Sequence, residues 1–87
     1  MLTGKQLRTL RYILDLTGAD IAERMYVTKQ TITSIETGKT KAESSRHYYA
    51  LALKEIARGL EPGTVQDAFN SMYLMYEMQN EISTESH

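Results

Sequence analysis

The sequence predicts an all-α fold, a compact domain of five helices. Apolar residues recur three and four positions apart in separate segments, the spacing that places side chains on one helical face. Threonine stands three residues before Gln or Asp at Thr3, Thr17 and Thr64, a capping-box pattern that marks helix starts. Pro62, the only proline, and the five glycines fall at helix ends and turns.

The first helix is predicted from about Gly4 to Asp15, after the capping pattern of Thr3 with Gln6. Its apolar face is formed by Leu7, Leu10 and Leu14, with Ile13 beside it. Arg11 lies next to this face, which is an unusual place for a charged side chain. A charge in that position requires a partner elsewhere in the fold.

Two short helices joined by a tight corner are predicted between Gly18 and Gly38, over about Ala19 to Met25 and Lys29 to Thr37. Thr17 and Thr28 stand at N-cap positions, and Gly38 suits a left-handed residue after the second helix. The shared apolar positions are Ile21, Ala22, Met25, Val27, Ile32 and Ile35. The outer face of the second helix keeps short polar side chains, which suits the major groove of DNA.

This stretch resembles the helix-turn-helix of the lambda-type phage repressor and Cro family, the XRE-like regulators. The matching residues are Ile21-Ala22, Val27-Thr28, Thr31-Ile32-Thr33, Ile35-Glu36 and Gly38-Lys39, within the especially similar segment ITSIETGKTK. The resemblance covers about Leu7 to Leu60. It implies a lambda-repressor-like helix-turn-helix and a DNA-binding function.

Two positions depart from the family pattern. Gly18 stands where the family usually has a Gln that contacts a phosphate. Tyr26 stands at the corner, where the family usually has Gly, and a non-glycine residue in a left-handed corner costs about 1 kcal/mol. We therefore expect either a wider corner or packing of Tyr26 that offsets the strain.

The resemblance also implies roles for charged residues around the two helices. Arg11 and Glu36 would form an interior ion pair that ties the first helix to the third, a structural role. The loop after Gly38 would lie along the phosphate backbone, where Lys39 and Lys41 neutralise phosphates. The alternative for this loop is an ordinary solvated segment.

The fourth helix is predicted from Ser44 or Ser45 to the residue before Gly59. Its core positions at helical spacing are Tyr49, Ala52, Leu53, Ile56 and Leu60. The neighbouring tyrosines Tyr48 and Tyr49 could stack on bases, but core or interface tyrosines on a helix are commoner.

After the turn at Glu61-Pro62-Gly63, the fifth helix is predicted from about Val65 to Ile82, followed by a polar, frayed tail from Ser83 to His87. Its apolar residues occupy much of the circumference, more than one small domain can cover. A homodimer interface is predicted at Phe69, Met72, Tyr73 and Tyr76. The alternative is that this helix folds back on its own core. The predicted division is residues 1–60 for DNA binding and 61–87 for dimerisation.

Charge is distributed unevenly along a chain whose formal net charge is −1. Residues 1–41 contain seven Lys and Arg against four acids, whereas residues 42–87 contain three against seven. A basic front half and an acidic back half suit a DNA-facing side and a partner-facing side. The chain has no cysteine and no apolar run of about 20 residues, so we expect a cytoplasmic protein without disulfides or a membrane span.

These features predict a sequence-specific, double-stranded DNA-binding transcriptional regulator of repressor type. Predicted base contacts are Lys29, Gln30, Thr33 and Ser34, and predicted backbone contacts are Thr17, Thr28, Thr31, Lys39 and Lys41. A homodimer would place two recognition helices about 34 Å apart, on a near-palindromic operator. Phage repressors, plasmid or mobile-element control proteins, restriction–modification controllers and antitoxins all fit this description.

Two other classes are less favoured by the sequence. A protein-interaction module with the same fold, such as an antitoxin or anti-repressor, would explain Gly18 and the acidic back half, and a protein partner could bind the fifth helix. An enzyme is disfavoured because there is no cysteine, no partner for His47 in a motif, and no glycine-rich phosphate loop. No metal or other cofactor is expected.

Overall fold

The computed structural model describes residues 1–85, which form five helices and no strand. The helices are α1 (Gly4–Ile13), α2 (Gly18–Met25), α3 (Lys29–Glu36), α4 (Glu43–Arg58) and α5 (Thr64–Glu85). The predicted all-α class and the number of helices are confirmed for this part of the chain. The predicted tail is placed in α5 as far as Glu85, and Ser86 and His87 lie outside the described residues.

The starts of α1 and α2 are fixed by the threonine caps that the sequence predicts, whereas Thr64 is itself the first residue of α5 and not the residue before the helix. Thr3 accepts from the Gln6 amide at 3.2 Å, and the Thr3 amide donates back to Gln6 Oε1 at 2.9 Å. Thr17 and Asp20 form the same reciprocal pair, at 3.1 and 2.8 Å. The α4 start differs from the prediction, because Ala42 is the N-cap there and no side chain caps the helix.

Helix α1 lies in the middle of the molecule and packs against α3, α4 and α5. The hydrophobic core consists of Leu2, Leu7, Leu10, Leu14, Ile21, Ala22, Ile32, Ile35, Tyr49, Ala50, Leu53, Ala57 and Phe69. Two predicted core positions are wrong, because Val27 and Leu60 are each 37 % exposed. Both flank a helix end, where side chains reach the edge of the packed layer.

Helix α5 belongs to the same core, which corrects the predicted dimer interface. Phe69 is only 2 % exposed, and Met72, Tyr73 and Tyr76 are half-buried against the core. This face therefore covers α1 and α4 of its own chain, as in the alternative in which the helix folds back. The core continues across the predicted division between residues 60 and 61.

The far part of α5 is tied to the beginning of the chain. Asn80 Nδ2 donates to the Met1 carbonyl at 2.7 Å and to Gln6 Oε1 at 2.9 Å. Because the two partners are 74 and 79 positions away in sequence, this contact joins the far part of α5 to the start of α1.

Gly4 allows an unusually close approach between α1 and α3. A Cβ atom at this position would lie 2.0 Å from the carbonyl oxygen of Ile35 and 3.0 Å from that of Glu36. The first turn of α1 therefore rests directly on the last turn of α3. The sequence predicts Gly4 only as the start of a helix, and this close approach to α3 is not encoded in the residues next to it.

None of the helices in the described part of the chain is both long and apolar enough to cross a membrane.

Candidate nucleic-acid interface

Helices α2 and α3 form a compact pair whose inner side is apolar. Ile21 and Ala22 are buried on α2, and Ile32 and Ile35 are buried on α3. Because these positions are three apart on α3, they fix the rotation of that helix and turn its opposite side to solvent. The pair therefore presents a rigid helix with a polar outer face.

The outer face of α3 carries the predicted base-contacting residues. Lys29, Gln30 and Thr33 are exposed, and Ser34 is half-buried. Within the described chain, the Lys29 and Gln30 side chains form no hydrogen bond or ion pair, so their donors and acceptors are available to a ligand. Thr33 instead donates to the Lys29 carbonyl at 3.3 Å.

The predicted backbone-contacting threonines lie at the starts of α2 and α3. Thr28 accepts from the Thr31 amide at 3.2 Å, and the two hydroxyl oxygens are 3.0 Å apart. Thr17 caps α2, and its amide lowers the pKa of the Asp20 carboxyl by donating a hydrogen bond to it. The Thr17 side chain also lowers this pKa through a hydrogen bond to the Asp20 carboxyl.

The loop after α3 is held by a glycine turn. Gly38 has φ of +81°, and the Lys39 amide donates to the Ser34 carbonyl at 2.9 Å. This is the left-handed helix end that the sequence predicts for Gly38. Lys39 and Lys41 are exposed on this loop.

Arg46 is a basic residue near this loop that the sequence analysis misses. It lies in the first turns of α4 and lines a surface depression together with Lys41, Thr40 and the first four residues of the chain, Met1 to Gly4. The sequence does not show that Arg46 and Lys41 line the same depression, because this depends on how the start of α4 packs. The structure thus brings Lys41 and Arg46 together into a basic patch beside α3.

Arg11 and Glu36 form the predicted ion pair. Arg11 Nε donates to Glu36 Oε2 at 2.8 Å, and Nη2 donates to Oε1 at 3.1 Å. Arg11 Nη1 also donates to the Leu16 carbonyl at 2.9 Å. The hydrogen bond to Glu36 is the main reason why the pKa of Arg11 is raised above its usual range. The pair is confirmed, and it anchors the end of α3 to α1.

Tyr49 is a third member of this cluster that the sequence analysis assigns only to the core. Its hydroxyl donates to Glu36 Oε2, and its ring is fully buried. Burial, followed by the contact with Glu36, raises the pKa of Tyr49 above its usual value. Tyr49 therefore stays protonated in the folded chain at pH values where an unfolded chain loses that proton.

This shift predicts a loss of stability in alkali. An unfolded tyrosine titrates near pH 10 and folded Tyr49 titrates higher, so unfolding releases a proton in this window and stability falls as the pH rises. Above about pH 10, the wild type should lose stability more steeply than Tyr49→Phe, by at most about 1.4 kcal/mol per pH unit. Urea denaturation at each pH measures this difference, and parallel curves for the two proteins would contradict it.

Tyr26 forms the corner between α2 and α3 and differs from both expectations. Its φ and ψ are 58° and 42°, so the corner is left-handed and not widened. Its side chain is 95 % exposed, so packing does not offset the strain. The residue therefore keeps a strained backbone conformation while presenting an aromatic ring to solvent.

Replacing Tyr26 with glycine should stabilise the chain by about 1 kcal/mol, because glycine adopts this conformation without a Cβ clash. Thermal denaturation would show a melting temperature higher by about 4–8 °C. Asp15→Gly is the matched control, since Asp15 also has φ of 58° but aspartate tolerates this region better. A stability loss in Tyr26→Gly would show that the ring itself contributes.

No protein-family model, curated protein or solved structure matches the chain. Among the described residues, no three His, Asp or Glu side chains are grouped so that they could hold a metal ion.

Proposed function

We propose that the chain is a sequence-specific, double-stranded DNA-binding transcriptional regulator of repressor type, with a lambda-repressor-like helix-turn-helix. The observation that carries this proposal is the outer face of α3. Lys29 and Gln30 are exposed there without partners in the described chain, at the start of a helix held by buried Ile32 and Ile35. Such a helix can enter a major groove without rearranging its own side chains.

The chemistry of this face fits base edges. Lys29 donates to guanine O6 or N7, and Gln30 binds adenine through N6 and N7. Thr33 and Ser34 add hydroxyl contacts further along the helix. These groups account for sequence selection in the proposed complex.

The surroundings of α3 fit the sugar–phosphate backbone. Thr17, Thr28 and Thr31 place hydroxyl groups there, while Lys39 and Lys41 offer positive charge. These residues would fix the orientation of α3 and make binding depend on salt. As a homodimer, the protein would bind a near-palindromic operator with half-sites about one helical turn apart.

Selection from a random DNA pool at two salt concentrations tests the proposal. We expect a palindromic consensus that survives the higher salt, because base contacts add to the electrostatic attraction. Recovery of no consensus, together with binding that disappears at moderate salt, would leave only non-specific charge and contradict the proposal.

Gln30→Ala is expected to relax one position in each half-site. The loss of the bidentate contact to adenine should weaken preference at that position by about 1–3 kcal/mol and leave the others unchanged. The measurement is binding to operators mutated one base pair at a time. Thr37→Ala is the control, because Thr37 is exposed beyond the base-contacting residues. An unchanged base preference in Gln30→Ala would disprove the contact assignment.

A second candidate is a protein-interaction module such as an antitoxin or anti-repressor. The observation in its favour is the outward side of α5, where Leu74, Met75 and Met78 are exposed. Such a protein could bind DNA through α3 and a partner through α5. Co-purification of a stoichiometric partner that is released by Met78→Glu would support this function.

A further inference from the structure

A cleft of about 340 Å³, here called the α4–α5 cleft, opens on the surface between these two helices. Its lining is apolar where Phe69, Tyr73 and Leu74 of α5 meet, and Phe69 is only 2 % exposed. Lys54 and Arg58 line it from α4. Sites that bind small molecules have volumes of about 300–1,000 Å³ and combine an apolar lining with a few polar groups. The cleft has both properties.

The shape of the α4–α5 cleft is fixed by contacts within the chain. Gln66 Nε2 donates to the Ala57 carbonyl at 3.0 Å, which joins the first turn of α5 to the end of α4. The rings of Phe69 and Tyr73 are tilted by 44°, with their centres 5.8 Å apart. Lys54 Nζ lies 4.6 Å from the centre of the Tyr73 ring. A ligand would therefore meet a site that is already formed, which lowers the cost of binding.

The two cations of the cleft have no carboxylate partner in the part of the chain that the structure describes. Lys54 and Arg58 are one turn apart on α4, so they lie on the same side of that helix. Neither forms an ion pair with a described side chain. The Asn70 amide, which also lines the cleft, forms no hydrogen bond there either. Positive charge and an amide donor are thus available beside an apolar surface, where an anion is attracted more strongly than in open water.

The balance of charge in the cleft favours an anion with a single charge. Of the described residues that line it, only Glu77 is acidic, against Lys54 and Arg58. The sum is one positive charge, which one carboxylate neutralises. A dianion such as a phosphate monoester would bring a second negative charge near Glu77 with no cation to balance it.

We infer that the α4–α5 cleft binds a small aromatic monocarboxylate. Arg58 and Lys54 hold the carboxylate, since a guanidinium group binds a carboxylate through two parallel hydrogen bonds. Tyr73 and Leu74 cover the ring, because aromatic and apolar side chains pack well against a planar body. The inference does not depend on DNA binding, since no residue of α3 lines the cleft.

Titration calorimetry of the full chain with phenylacetate and cinnamate tests the inference. We expect saturable binding with a Kd of about 1 mM or below, because a preformed site reaches this affinity with about ten non-hydrogen atoms. Phenylacetamide has nearly the same shape without the charge and should bind at least about tenfold more weakly. Phenyl phosphate, a dianion at about pH 8, should bind at least about threefold more weakly than phenylacetate.

Three substitutions locate the binding in the cleft. Arg58→Gln should weaken phenylacetate binding about tenfold, because it removes a charge-assisted hydrogen bond. Arg8→Gln is the matched control, since Arg8 is exposed on α1 and does not line the cleft, and it should change nothing. Glu77→Gln should tighten the binding of phenyl phosphate about threefold or more, because it removes the opposing charge. A gain of affinity cannot result from a loss of fold, and circular dichroism checks the fold of each variant.

Four results would overturn the inference. They are no saturable binding of either carboxylate up to about 10 mM, equal binding of phenylacetamide, tighter binding of phenyl phosphate than of phenylacetate by the wild type, and unchanged binding in Arg58→Gln. A chain that binds phenylacetate but selects no DNA sequence would keep the cleft assignment and contradict the proposed regulator.

Discussion

Gly4→Ala is expected to lower the free energy of unfolding by about 3 kcal/mol or more. The added Cβ would lie 2.0 Å from the Ile35 carbonyl oxygen, and both sides of this contact are backbone. No rotation of a side chain can relieve the clash, so α1 and α3 must move apart and loosen the core between them. Urea denaturation measures the loss, and the melting temperature should fall by at least about 12 °C.

Gly18→Ala is the matched control for this prediction. Gly18 and Gly4 are both the first residue of a helix and both follow a threonine cap. A Cβ on Gly18 would meet only the Ile32 Cγ2 atom, at an ordinary 3.7 Å. Alanine should therefore stabilise α2 by about 0.5 kcal/mol. Similar losses in both variants would show that the helix start, not the approach to α3, is responsible.

Glu36→Ala is expected to cost about 3–5 kcal/mol, because it removes the partner of a buried charge. Arg11 is 8 % exposed and would keep its guanidinium group in the core without a carboxylate. The Tyr49 hydroxyl would lose its acceptor as well. Since Glu36 ends α3, the same change should also weaken operator binding. Urea denaturation and operator titration measure the two effects.

Glu55→Ala provides the comparison at the surface. Glu55 also forms an ion pair, with Arg24 at 3.7 Å, but its side chain is more than half exposed. Its loss should cost less than about 1 kcal/mol. The triple variant Arg11→Met, Glu36→Leu, Tyr49→Phe should recover most of the stability lost in Glu36→Ala, because it leaves no unpaired buried group. Equal losses for Glu36→Ala and Glu55→Ala would contradict the assigned burial.

Features encoded within a few residues could be predicted from the sequence. The Thr3 and Thr17 capping boxes and the left-handed Gly38 each depend on neighbours at most five positions away. The buried faces of α1 to α3 follow from apolar spacing, because each of these short helices has only one apolar side.

The orientation of α5 could not be predicted in the same way. Its sequence is apolar on two sides, and spacing alone does not say which side meets the core. That choice depends on Phe69 filling the space between α1 and α4 and on the long-range bond from Asn80 to Met1. The closeness of Gly4 to α3 was missed for the same reason, since it joins backbone segments far apart in sequence.

In the candidate site, too, features set by neighbouring residues could be predicted and long-range contacts could not. The exposure of Lys29, Gln30 and Thr33 agrees with the helical spacing of α3. Tyr49 in the ion-pair cluster and Arg46 beside Lys41 were not predicted, because α4 reaches them only through its packing on α3 and α1. Base contacts, backbone contacts and the operator stay predictions.

The attachment of α5 to the start of α1 has a consequence for protein synthesis. The ribosome makes α3 before it makes Phe69 and Asn80, so α3 leaves the exit tunnel ahead of the residues that complete the core around α1. A nascent chain that has reached only Leu60 lacks both the Phe69 ring and the bond from Asn80 to Met1. We therefore expect prematurely terminated translation products to be degraded before they compete with the finished chain for the DNA that the proposed function requires.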